Sequence, residues 1–215
     1  MILYVNGDSH SAGHDAGGVE FSYGRHLATA LTSKFVCDAK AGGSNARIIR
    51  TTNIYLENNT PDCVVIGWST QEREEWFYKG KYYDVNGSGS DVLPIELDQR
   101  YKTWVIEYAH NYADHDRESH KLIWDFHLSL IERNIPHLFF NCYSYFTHVE
   151  IKYDWGSNYI DPYSKESTYY FWLESKGYQP SNPKYYHYGP DAHIAWADFL
   201  LPHLTKVIND SIITS

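Results

Sequence analysis

The sequence predicts an α/β protein: a three-layer α/β/α sandwich around a central parallel sheet. Two observations predict it. Short apolar runs alternate along the chain with segments of helical periodicity, the pattern of βαβ units. The runs themselves, such as CVVI at 63–66 and LFF at 138–140, are continuously apolar, which suits strands buried on both faces.

Taken in order, Ile2–Val5 read as the first strand. Phe21–Leu31 read as a helix with Leu27, Ala28 and Leu31 on one face, and Phe35–Cys37 as a short strand. Ser44 is a helix cap, followed by apolar positions that include Ile48, Ile49 and Leu56. Cys63–Ile66 form a strand that stops at Gly67. The polar segment Lys79–Asp91, with NGSGSD inside it, reads as a surface loop or hairpin over the strand ends. Leu97–Ala113 and Glu118–Asn134 read as two helices, and Pro136 and His137 lead into the strand LFFNC. From Tyr143 to Tyr188 the periodicity dissolves into YSYFTH, YDWGSNY, STYYFW and PKYYHYG, with one helix near Lys165–Ser175. Gly189-Pro190 start a last helix with Asp191 in its first turn and Ala195, Trp196, Phe199 and Leu200 on its inner face.

A chain of 215 residues is enough for one domain, here residues 1–215, with 71–115 and 143–186 as insertions or long excursions. A formal charge of −9 argues against nucleic acid as a partner, because phosphate binding needs a positive surface. No stretch is long and apolar enough to span a bilayer, and MILYV follows no basic leader. A cytoplasmic protein with no membrane partner is therefore expected. Cys37, Cys63 and Cys142 are odd in number and widely spaced, so they read as reduced thiols. The load of 20 Tyr and 7 Trp exceeds what a core is expected to use, which places many of these rings in loops or on a groove.

In a parallel sheet, reactive groups gather at the carboxyl ends of the strands. Strand one ends at Gly7-Asp8-Ser9, strand two leads into Ala41-Gly42-Gly43-Ser44-Asn45, strand three ends at Gly67-Trp68-Ser69-Thr70, and His187 stands just before the last helix. A serine hydroxyl needs a base in reach and donors for the oxyanion it creates, and these four stations are about what acyl transfer requires. Gly42-Gly43-Ser44 equally reads as a turn and a helix cap. Of the twelve histidines, His10 and His14 follow the serine closely, but no Cys or carboxylate cluster completes a metal-ligand set. His110, Asp114, His115 and His120 read as a solvated charged stretch.

The four stations resemble, in the right order, the blocks of the SGNH (GDSL) hydrolases. GDSHSAG is similar to the first block, GGSNARI to the second, GWSTQER stands where the third falls, and HYGPDAH is similar to the last. The resemblance implies a flavodoxin-like fold, Ser9 as nucleophile and His187 as base, with His193 the alternative base. It also implies an oxyanion hole of Ser9, Gly42 (Gly43 the alternative) and Ser69, and no cofactor or metal. His10, Gly43, Asn45 and Trp68 are candidate substrate contacts, with Arg73, just beyond the third strand end, a candidate for an anionic group. The implied activity is hydrolysis of small acyl esters, with O-acetyl groups on carbohydrate suggested by the aromatic excursion. The alternative is a catalytically weakened module that binds a glycan or a protein. Two positions depart from the family. Ser69 replaces the asparagine of the third block, and Lys184 stands where an aspartate precedes the histidine by three residues, so the acid of the triad has no candidate. The Tyr-rich chain without a leader also resembles proteins of bacterial viruses, which implies a host cytoplasm or a virion.

Overall fold

The chain, seen here in a computed structural model that describes residues 1–87, 93–182, 184 and 186–214, runs β1 (Ile2–Gly7), α1 (Tyr23–Ala30), β2 (Lys34–Cys37), α2 (Asn45–Asn58), β3 (Cys63–Trp68), β4 (Glu74–Tyr78), β5 (Lys81–Val85), α3 (Asp98–Glu107), α4 (Tyr112–Glu132), β6 (His137–Asn141), α5 (Tyr169–Ser175) and α6 (Pro190–Thr214). The four apolar runs pair as one parallel sheet in the order β2-β1-β3-β6.

Strand parity sorts the core into two layers. Leu3, Val5, Cys63, Val65, Leu138 and Phe140 face α1, α5 and α6, where Leu27, Leu173, Trp196, Leu200 and Leu204 meet them. Tyr4, Val64, Ile66, Trp68 and Phe139 face α2 and α4, against Ile48, Ile123, Phe126 and Leu130. Both sheet faces are therefore dry, which is why the strands carry no polar alternation. Ser22 and Ser44 cap α1 and α2, each accepting from the backbone N–H three residues on.

Residues 74–109 make a small third cluster. β4 and β5 form an antiparallel hairpin through a two-residue turn, Lys79-Gly80, with both residues at positive φ (47° and 79°). The Glu74 carboxylate accepts the indole N–H of both Trp76 and Trp104 at 2.6 Å, tying the hairpin to α3. Arg50 of α2 grips Glu75 through two N–H groups at 2.7 and 2.6 Å, and Lys40 pairs with Asp84, so the hairpin is clamped beside the strand ends. Lys79–Val85 is thus the turn and second strand of a hairpin, while most of NGSGSD lies outside the described residues.

Three expectations are corrected. The helix break falls at 108–111, earlier than 114–117, because Asn111 caps α4 by accepting from the N–H of Asp114. That places His115 and His120 inside: His115 Nε2 bonds the Tyr108 carbonyl and His120 Nε2 the Tyr163 hydroxyl, both at 2.9 Å, so neither is solvated. The tyrosines are also less superficial than expected. Tyr4, Tyr23, Tyr159, Tyr169 and Tyr188 are buried, and the core accepts them because each hydroxyl has a partner: Asp38, Ser11, Asn141, His193 and the Tyr170 carbonyl. The three cysteines are free, and among the described residues no helix is long and apolar enough to cross a membrane.

At the carboxyl end of the sheet Gly7 and Gly67 sit opposite one another in register. A Cβ on Gly67 would lie 2.5 Å from Ser11 Oγ, 2.9 Å from Phe140 Cζ and 3.0 Å from Cys142 Sγ. Gly67→Ala is expected to destabilise the protein by about 1–3 kcal/mol through overpacking, read as a lower urea midpoint at unchanged m-value.

Buried histidines set a second expectation. His137 Nδ1 donates to the Ile135 carbonyl, which leaves its Nε2 to accept from His127 Nδ1 at 2.8 Å, so both rings are neutral. Burial pulls the pKa of His127 down to about 4 and those of His137 and His193 to about 3, from 6.5. Below pH 6.5 the unfolded chain binds protons that the folded one refuses. Stability is expected to fall as pH drops from about 6.5 toward 4, by up to about 1.4 kcal/mol per pH unit for each histidine. Urea titrations at pH 7, 6 and 5 measure it, and coincident midpoints would contradict it.

Candidate active site

From β1 the chain crosses to β2 on one side and later to β3 on the other, so the strand order reverses between β1 and β3. A crevice opens at such a switch point, beyond the carboxyl ends. A cavity of about 480 Å³ lies there, lined by Ser9, His10, Gly42, Arg73, Tyr143 and His187 with Asp8, His14, Ala41, Thr70, Asn86 and Tyr186. Two side chains 178 positions apart in sequence, Ser9 and His187, thus share one wall system.

The loop after β1 is a succession of turns. The N–H of His10 bonds Asp8 Oδ1, those of Ala12 and His14 bond the carbonyls of Asp8 and Ser9, and that of Gly18 bonds the Gly13 carbonyl, all near 3.0 Å. Ser11 Oγ anchors the loop over the paired glycines and accepts from the Tyr23 hydroxyl at 2.7 Å. This winding brings Asp15 back over the crevice. Its backbone is left-handed (φ 61°), a conformation aspartate tolerates better than most residues. Asp15 Oδ2 lies 2.9 Å from His187 Nδ1, and this hydrogen bond is the main reason the Asp15 carboxyl titrates below its ordinary value. Asp15 thus engages the Nδ1 side of the His187 ring. The carboxylate that meets His187 comes from the loop after β1, while Lys184 is exposed.

His193 stands apart. It is buried, its Nδ1 accepts from the Tyr23 backbone N–H, and its Nε2 meets the Tyr169 hydroxyl, both at 3.2 Å. Both nitrogens are engaged in the core, and His193 does not line the cavity.

The N–H groups of Ser9 and Gly42 have no hydrogen-bond partner among the described residues, and both residues line the cavity. Gly42 adopts φ 78°, which glycine takes without strain. Gly43 differs: its N–H donates to the Lys40 carbonyl at 3.0 Å and closes the turn. Ser69 also departs from expectation, because its hydroxyl donates to Asp8 Oδ2 at 3.3 Å and accepts from Arg73 Nη1 at 3.0 Å. Neither Asn45 nor Trp68 reaches the cavity. The Asn45 amide clamps the backbone of Ser69, accepting from its N–H at 2.9 Å, and Trp68 faces Phe126 and Phe139 in the core. His10 and Arg73 do line it. Burial pulls the pKa of His10 down to about 4, so it stays neutral beside His187, whose ring is 5.2 Å away.

Three further lining residues, Asn86, Tyr143 and Tyr186, carry no signal in the sequence. Asn86 follows the hairpin, and the two tyrosines border the aromatic excursion with ring centroids 5.8 Å apart. The signal that would have found Asp15 is the run of small residues around it, SAGHDAGG, which is compact enough to fold back on its own start. His14, Asp15 and His187 offer ligand atoms within 4.8 Å of one another and are the described residues able to hold a metal ion.

No protein-family model matches the chain, and no curated protein matches it in sequence. Solved structures do match. TesA superposes with a TM-score of 0.58 at 12% identity, over 96% of this chain and 99% of that one. LAE5, an alpha/beta hydrolase enzyme from the metagenome of Lake Arreo, Spain, gives 0.51 at 11% identity, over 96% and 95%. A carbohydrate esterase family 2 enzyme with its carbohydrate binding domain, from Corynascus thermopiles (Myceliophthora fergusii), gives 0.49 at 15% identity over 97% of this chain. The chain spans 66% of that protein's length. At these identities the likeness is one of architecture: the chain has the α/β/α fold of SGNH-type hydrolases.

The Asp15 contact can be read without any assay of activity. In neutral solution the His187 Nδ1–H is expected as a downfield, slowly exchanging proton resonance. Asp15→Ala should abolish it and Lys184→Ala should leave it in place.

Proposed function

We propose that this protein is a serine-dependent hydrolase of small acyl esters. Ser9 attacks the ester carbonyl while His187 takes the hydroxyl proton at Nε2, and Asp15 holds the imidazole and balances the imidazolium. The carbonyl oxygen, now negative, receives the N–H groups of Ser9 and Gly42. His187 then protonates the leaving alcohol, and water, deprotonated by the same imidazole, releases the acyl group and restores the serine. The observation that carries this reading is His187, held at Nδ1 by Asp15, lining one switch-point cavity with Ser9. It favours an enzyme over a binding module, because a module has no use for an imidazole held by a carboxylate beside unpartnered N–H donors.

The size of the cavity, about 480 Å³, suits a short acyl group with part of its alcohol. Tyr143 and the half-exposed Tyr186 stand at the wall where that alcohol would emerge. Their rings suit the apolar face of a pyranose, so the proposed substrate is an O-acetylated carbohydrate. The hydrolase fold shared with LAE5 is consistent with this reading.

A fluorophosphonate probe tests the nucleophile. The wild-type chain should be labelled at Ser9 and Ser9→Ala should not, and an unlabelled wild type would remove the enzyme reading. Asp15→Asn should lower turnover of p-nitrophenyl acetate by about 10²–10⁴-fold while labelling slows. Tyr186→Ala should raise KM for an acetylated sugar and leave that for p-nitrophenyl acetate unchanged, which separates the glycan from the ester.

A further inference from the structure

The oxyanion formed at Ser9 has two backbone donors, and the hydroxyl that the third sequence block would offer is committed elsewhere: Ser69 Oγ donates to Asp8. The charge must nevertheless develop in a cavity that already has the carboxylate of Asp8 in its wall. One residue answers both needs. Arg73, in the turn after β3, folds its guanidinium back so that Nη1 donates to Ser69 Oγ at 3.0 Å and to Asp8 Oδ2 at 3.3 Å. Its remaining N–H groups have no partner among the described residues, its side chain is 23% exposed, and it lines the cavity with Ser9 and Gly42. Among the described lining residues it is the one permanent cation.

We propose that Arg73 is a catalytic residue that donates an N–H to the oxyanion, in the place a neutral side-chain amide would take. The inference rests on the acyl-transfer reading above. As the bond from Ser9 Oγ to the carbonyl carbon forms, the π pair moves onto the carbonyl oxygen and the hydroxyl proton goes to His187. Arg73 keeps all its protons and supplies field and hydrogen bond. When the pair returns, the alcohol leaves with the proton from His187. Asp8 is 2% exposed at its side chain and cannot follow the guanidinium outward, so the fork is held in place before substrate arrives. A preorganised cation costs no reorganisation as the charge appears.

The test is steady-state hydrolysis of p-nitrophenyl acetate, a neutral ester, by the full chain and three variants. Arg73→Gln should lower kcat by about 10²–10³-fold with little change in KM, and Arg73→Lys should fall between it and wild type. Arg73→Ala should regain turnover when guanidinium ion is added below denaturing concentration. Three results would overturn the inference. Unchanged kcat in Arg73→Gln leaves no transition-state role. A raised KM confined to anionic esters makes Arg73 a substrate anchor. Loss in all three variants with lowered thermal midpoints and no guanidinium rescue makes it a strut for Asp8. Failure of the underlying reading looks different: the wild type itself then neither turns over ester nor takes the fluorophosphonate label.

Discussion

The contact between Asp15 and His187, 2.9 Å long, joins the loop after β1 to the segment that leads into the last helix. Everything else at the site is arranged around making that contact possible. The imidazole must emerge at the start of α6, which requires α6 to pack along the sheet through Trp196, Leu200 and Leu204. The carboxylate must return to the position from which the chain left the sheet, which requires the loop after β1 to wind tightly. That winding is fixed from below: Ser11 sits where any side chain on Gly7 or Gly67 would be, and Tyr23 of α1 bonds it. Packing under the loop and geometry above it are one constraint, since loosening the first moves Asp15 off the ring.

What was legible in the sequence follows from this dependence. The parallel sheet and its order of elements were legible because strands dry on both faces are continuously apolar, a signal local to each run. Ser9, Gly42 and His187 were legible as stations because strand ends are where a doubly covered sheet exposes backbone. Asp15 was not, because its role depends on the path of a loop, and loops leave no periodicity. Trp68 and Asn45 stand at two of the strand-end stations, so the sequence makes both substrate-contact candidates. Parity puts Trp68 with Val64 and Ile66 on the α4 face instead, and Asn45 belongs to the first turn of α2, aimed at the backbone of Ser69. The tyrosines mislead for a related reason: composition counts hydroxyls but not their partners, and the hydroxyls of Tyr4, Tyr23, Tyr159, Tyr169 and Tyr188 each have one.

The segment between β3 and α4 shapes the site from beside the strand ends. Its hairpin and α3 hold together through Glu74, which receives two indole N–H groups, and through a small core around Trp76, Val85 and Trp104. Docking to the rest is ionic, Arg50 with Glu75 and Lys40 with Asp84. Lys40 also gives its carbonyl to Gly43, so the hairpin braces the turn that presents Gly42. The same hairpin ends at Asn86 on the cavity wall. This segment thus contributes to the rim and braces the turn that presents the Gly42 N–H.

Two carboxylates flank Ser9, and they are neutralised in different ways for a physical reason. Asp15 lies on the rim, where water screens it, and its partner is a group that gains and loses a proton. Its field therefore counts when His187 is charged and is mild otherwise, which suits the proton transfer proposed above. Asp8 lies beneath, nearly excluded from water, where an unpaired charge would be costly. It is held by the Ser69 hydroxyl, the His10 N–H and a guanidinium that never deprotonates. A titratable partner at that depth would leave Asp8 uncompensated in one protonation state, and a rim arginine would quench Asp15 in both. The burial of each carboxylate thus selects the chemistry of its partner, and the serine sits between a switchable pair and a fixed one.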